Sequence, residues 1–167
     1  MLIFYYLKYI LIFSVLIFLN KTFIWIFSIS EYNITPDFVI VAVVYIGIDK
    51  GKIIGMVTGF FAGIIMDLLV GSFLGLSALS YCIAGFLAGY FSNIETKKFL
   101  YKHYFLMVVF ICSVVANFLY YIIYFQGFSL IFLDIIIKYV LPTSAYTTLL
   151  SSIYVIVTYK KKINLPA

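Results

Sequence analysis

Arginine is absent from the 167 residues, and all 11 basic side chains are lysine. Charge of either sign is scarce, at 10% of the chain against 66% hydrophobic residues, with a mean hydropathy of +1.20. A soluble domain keeps roughly a quarter of its residues charged. This chain has too little polar surface to cover itself in water, and its long apolar runs separated by short polar breaks indicate a polytopic membrane protein. Cysteine is nearly missing as well. Cys82 and Cys112 lie inside apolar runs without a CxxC spacing, which argues against a disulfide framework or a thiolate metal site. The one histidine, His103, sits beside Lys102 at the edge of a run and reads as a loop residue. There is no HExxH, GxSxG or P-loop, so neither an enzyme nor a bound cofactor is expected. The net charge of +5 comes from lysines at the ends of apolar runs, which points to membrane topology and not to nucleic acid. No small-residue cleavage site follows the first run, so it is expected to remain as a helix.

What is present is an all-α pattern of six apolar segments, expected to form one transmembrane domain over residues 1–167. The segments are residues 7–27, 36–48, 53–70, 76–94, 104–125 and 141–159. Segment 36–48 is short: its 13 residues rise about 20 Å as a helix, less than the roughly 30 Å hydrocarbon core. A re-entrant segment is the alternative there. Its start carries an N-cap threonine, a first-turn proline and an acid in Thr35-Pro36-Asp37. Lys50 and Lys52, then Lys97, Lys98 and Lys102, then Lys160 to Lys162 fall on alternate connections, with Lys8 before the first segment. The connections between them are acidic or neutral. The positive-inside rule then places both termini of a six-span protein in the cytoplasm. Residues 129–140 read as a helix on the outer surface, with an Asp134–Lys138 pair at i, i+4 and Pro142 as the break before the last span.

Glycine falls at 47, 51, 55, 59, 63, 71 and 75, and Asp67 occupies the one vacant step of that four-residue register. Small residues four apart let helix backbones approach closely in lipid, where hydrophobicity alone drives little association. Gly55, Gly59 and Gly63 are expected to form a groove answered by Gly85 and Gly89, with Gly71 and Gly75 on the same register. Gly71 is also placed for a left-handed helix cap, and Gly47 and Gly51 for the preceding turn. Asp67 departs from this pattern, because an ionised group at mid-membrane costs at least about 2.5 kcal/mol on insertion scales. Counting about 1.5 Å per residue puts Asp67, Asn20, Lys21 and Asn117 at similar depth, with Thr143, Ser144 and Thr147 entering from the other side. A buried polar layer is expected in which Asp67 meets Lys21, Asn117 or a hydroxyl of the last span. It would serve there either as a substrate, ion or partner site or as an interhelical hydrogen bond.

The run "PDFVIVAVVYIGIDKGKIIGMVTGFFAGIIMDLLVGSFLGLSALSYCIAGFLAGYF" resembles the core of the rod shape-determining protein MreD family. The residues that carry the likeness are Pro36, Gly55, Gly59, Gly63, Asp67, Gly71, Gly75, Leu76, Gly85 and Gly89. The stretch "LPTSAYTTLLSSIYVIVTYKKK", opening at Pro142, resembles the last span of that family. The resemblance implies a non-enzymatic membrane component of the bacterial cell-elongation machinery that builds peptidoglycan. It also implies MreC as partner and, through it, the MreB filament, the RodA glycosyltransferase and a class B penicillin-binding transpeptidase. The family is similar in fold to the substrate-binding components of energy-coupling-factor vitamin transporters, which supplies the rival reading. Those components typically carry an Ala-x-x-x-Ala face on the first helix. Here "YYLKYILIFSVLIFLNKTFIWIF" has neither alanine nor glycine, which favours the MreD reading.

Overall fold

The computed structural model describes residues 35–92, 103–126 and 132–163, with side chains described as far as Ile153. The first expected span, with Asn20 and Lys21, and the lysines at 8, 97, 98 and 102 lie outside the described residues. The order is α1 (Phe38–Lys50), α2 (Lys52–Val70), α3 (Leu76–Tyr90), α4 (His103–Tyr124), a short α5 (Phe132–Ile135), a π-helical turn (Ile136–Val140) and α6 (Leu141–Ile163). No strand occurs among the described residues.

Two helices, Lys52–Val70 and Tyr104–Tyr124, are long and apolar enough to cross a membrane. The polarity of α2 is reversed relative to a soluble protein. On α2 the buried positions are Gly55, Gly59, Ala62, Gly63, Met66 and Asp67. The exposed ones include Ile53, Val57, Phe60, Phe61 and Leu68, of which Ile53 is 74% accessible. Small residues turned inward and large apolar ones turned outward suit a hydrocarbon solvent, where the outer side chains need no cover.

α1 is the central helix. Val39, Ile40, Val43 and Val44 are fully buried, and α1 is in contact with α2, α3, α4 and α6. Its short rise of about 20 Å is therefore surrounded largely by protein. Its start differs from the sequence reading. Asp37, not Thr35, is the N-cap, and its carboxylate accepts from the Val39 and Ile40 N–H groups at 3.0 and 3.2 Å. Pro36 accordingly precedes the helix instead of occupying its first turn.

α2 and α3 run antiparallel through the glycine register. A Cβ added at Gly55 would meet the Gly85 carbonyl oxygen at 2.5 Å and the Gly47 Cα at 2.7 Å. At Gly59 it would overlap the Tyr81 backbone, at Gly63 the Ala78 backbone, and at Gly89 the Lys52 backbone. Each step of four along α2 thus retreats by about four along α3, the behaviour of a small-residue seam. Gly47 belongs to this seam and not to a turn. It lies inside α1, where a Cβ would stand 2.8 Å from the Gly85 carbonyl oxygen and 2.9 Å from the Ala88 Cβ.

Gly71 and Gly75 have a different use. No atom lies within 4 Å of a Cβ built at either, so neither packs helices together. They close the connection between α2 and α3 with φ of 71° and 100°, a left-handed region in which a side chain is strained.

The chain does not break at Pro142. It stays helical from Phe132 to Ile163, with the π turn immediately before the proline. Proline has no N–H and its ring crowds the carbonyl four residues back. The wide turn absorbs this, and Leu141 donates to the Ile136 carbonyl, five residues back. Asp134 and Lys138 pair across it at 3.4 Å.

Candidate functional site

The sequence register places Asp67 in the last turns of α2, and helix packing turns it away from solvent until it is fully buried. Its carboxylate accepts from the Ser72 hydroxyl at 3.0 Å, and from the backbone N–H groups of Gly75 at 2.8 Å, Ser77 at 3.0 Å and Ala78 at 3.4 Å. The first turn of a helix presents N–H groups with no partner of their own and a positive dipole end. Asp67 therefore caps α3 from the preceding helix. Among the described residues, its hydrogen bonds go to this connection and not to Asn117 or Thr147.

The other expected members of the polar layer divide into two groups. Asn117 on α4 donates from Nδ2 to Ser113 Oγ at 3.1 Å and to Ser144 Oγ on α6 at 3.2 Å. Thr147 on α6 donates to the Thr143 carbonyl at 2.8 Å and accepts from the Asp37 N–H at 3.1 Å. Such hydrogen bonds between apolar helices are worth on the order of 1 kcal/mol each.

Asp37 and Tyr81 form a pair absent from the sequence reading. The Tyr81 phenol donates to Asp37 Oδ2, while Oδ1 takes the two N-cap bonds. This joins the start of α1 to the middle of α3, 44 residues apart. The Thr-Pro-Asp cap was visible locally, but nothing distinguishes Tyr81 among 16 tyrosines before the helices are assembled. Tyr81→Phe removes the donor to a buried carboxylate oxygen, a change that costs about 1–3 kcal/mol. The expected outcome is a lower unfolding temperature in detergent with secondary structure retained by circular dichroism.

Between these groups lies a cavity of about 190 Å³ walled by residues 35–37 and by α2, α3, α4 and α6, with Asp37, Tyr81, Asn117, Tyr120, Tyr121 and Thr143 on its lining. A second, more open cavity of about 350 Å³, between residues 70–73 and Tyr120 and Tyr124, shares Val70 and Tyr120 with it. No cluster of three or more His, Cys, Asp or Glu occurs among the described residues. The arrangement can bind and orient a polar group.

The model of the rod shape-determining protein MreD family matches residues 2–161. The chain belongs to the MreD family. No curated protein and no solved structure matches it. Membership of the MreD family gives this chain a role in rod shape determination and places it in the membrane, in keeping with its two span-length apolar helices. The family match takes in the seam glycines, Asp67 and the polar cavity, along with the outer apolar face of α2.

Proposed function

We propose that this MreD family member is a non-enzymatic scaffold of the cell-elongation complex in the bacterial inner membrane, and that its direct partner is MreC. Through MreC it would be coupled to the MreB filament, RodA and a class B penicillin-binding transpeptidase. The observation that carries this reading is the family match over residues 2–161. Packing supports it physically. The α1–α2–α3 seam is joined backbone to backbone, which makes it rigid, and α2 turns a row of large apolar side chains outward where a partner helix can lie. We further propose six spans with both termini in the cytoplasm, on the lysine distribution.

The alternative is a substrate-binding component of an energy-coupling-factor vitamin transporter, for which the polar cavity would be the ligand site. Co-purification from cells in a mild detergent, read by mass spectrometry, separates the two. Stoichiometric recovery of MreC is expected. Recovery of an ATPase module with a bound vitamin, without MreC, would overturn the scaffold reading.

A further inference from the structure

The helical run from Phe132 to Ile163 rises about 48 Å, while a hydrocarbon core is only about 30 Å thick. Part of the run therefore stands outside the core, and the stretch before Pro142 carries the marks of that part. The π turn leaves the Ile137 carbonyl without a helical donor, because the Leu141 N–H goes to Ile136 and Pro142 has no N–H. Ile137 is 54% exposed, and lipid tails offer no donor to replace the missing one. The side chains of the Asp134–Lys138 pair are 41% and 46% exposed, a setting for charge that water tolerates and hydrocarbon does not. Tyr139 of the π turn packs on Tyr121 and Phe125, with ring centroids 5.4 and 5.0 Å apart, and Tyr124 stacks on Tyr120. Tyrosine collects where membrane meets water, because its ring is apolar and its hydroxyl is not. Finally, α4 rises about 33 Å from His103 to Tyr124, close to the thickness of one core, so its tyrosine-bearing end reaches the same level.

We propose that the membrane–water interface crosses the protein at this π turn, and that Phe132–Val140 with the tyrosines at the end of α4 forms a surface seated in the phospholipid headgroup layer. Buried Ile135 and Val140 hold the segment to the bundle, while Phe132, Leu133 and Ile137 meet the upper ends of the acyl chains. Lys138 meets lipid phosphate, and water or headgroup donors supply the Ile137 carbonyl. Depth elsewhere follows by counting. Thr147 lies about 15 Å beyond Ile137 along the helix, and it accepts from the Asp37 N–H. The short α1 therefore starts inside the core. Its rise of about 20 Å, some 10 Å less than the core, agrees with that count. The depth of the turn depends neither on which side of the membrane this end faces nor on MreC binding, so those readings fail separately.

The test uses the full chain in phospholipid nanodiscs, with Cys82→Ser and Cys112→Ala so that a single nitroxide can be attached. Labels go on Ile137→Cys, on Leu133→Cys and, as the hydrocarbon reference, on Ile111→Cys at an exposed position of α4. Electron paramagnetic resonance compares collisions with oxygen, which concentrates in lipid tails, and with a water-soluble nickel chelate. The oxygen-to-nickel ratio at positions 133 and 137 is expected to fall several-fold below that at 111, with the lipid phosphorus resonance broadened by the label at 137. A ratio at 137 equal to that at 111 would put the turn in hydrocarbon. An unbroadened phosphorus resonance would leave the segment in bulk water, free for a soluble partner. Either result overturns the proposal. Charge tolerance supplies a check that needs no cysteine replacement: Ile137→Lys is expected to accumulate as wild type does, whereas Ile111→Lys loses most of the folded protein. Equal yields of these two variants also overturn the proposal, and they decide alone should the cysteine-free background fail to fold.

Discussion

Replacing Gly63 with leucine is expected to leave no correctly folded protein in detergent extracts, and Gly59→Leu the same. At each position even a single added carbon would overlap the backbone of α3, at Ala78 for Gly63 and at Tyr81 for Gly59. Backbone cannot step aside as a flexible side chain can, so α2 and α3 would have to separate along the whole seam. Inserting extra methylenes into a well-packed core costs about 1–3 kcal/mol, and more where no rotamer escape exists. Gly71→Ala supplies the contrast. That position has open space around it but a φ of 71°, so the expected cost is only about 1–2 kcal/mol of backbone strain, with assembly retained. Size-exclusion profiles and co-purified MreC measure both effects. If Gly59→Leu and Gly63→Leu both migrated and captured MreC as wild type does, the close seam would be refuted.

Asp67→Ala is the second large effect. It leaves the buried N–H groups of Ser77 and Ala78, together with those of Gly75 and Ser72 Oγ–H, without their acceptor. An orphaned buried donor costs about 1–3 kcal/mol. Several such losses at one helix start are expected to fray the first turn of α3 and the 71–75 connection. The readout is increased hydrogen exchange at residues 75–79, together with a lower unfolding temperature. Asp67→Asn keeps one carbonyl acceptor and turns a donor toward Gly75, so an intermediate loss is expected. A wild-type exchange pattern in Asp67→Ala would show that α3 starts without this cap.

Both predictions bear on how a small-residue register and one acid act together. The seam fixes the distance between α2 and α3, and only at that distance does the Asp67 carboxylate reach across to the N–H groups of the next helix. The capping bonds in turn hold Gly75 at its positive φ, which ends the connection and starts α3 in register with the seam. For a scaffold this coupling matters, because a partner helix on the outer face of α2 needs that face held in one orientation.

The amino-acid sequence by itself determined the class of the molecule. A chain with 10% charge and apolar runs of helical length has no soluble solution, and the MreD likeness was carried by residues that stand in the sequence in plain order. The starts and ends of α2, α3 and α4 were legible within a few residues, because glycine and charge punctuate local backbone conformation. Only the tertiary structure decided what each polar group faces. Gly47 shares its spacing with Gly51, yet one packs inside a helix and the other ends it. Pro142 marks a local obstacle, but the neighbouring turn widened to π geometry instead of breaking. Residue counting sets Asp67 level with Asn117, yet its carboxylate turns to the adjacent helix start, while Asp37 finds Tyr81 from 44 residues away. Depth along a helix follows from counting residues. The direction a side chain takes at that depth follows from which helices are neighbours, and that is a property of the assembled bundle.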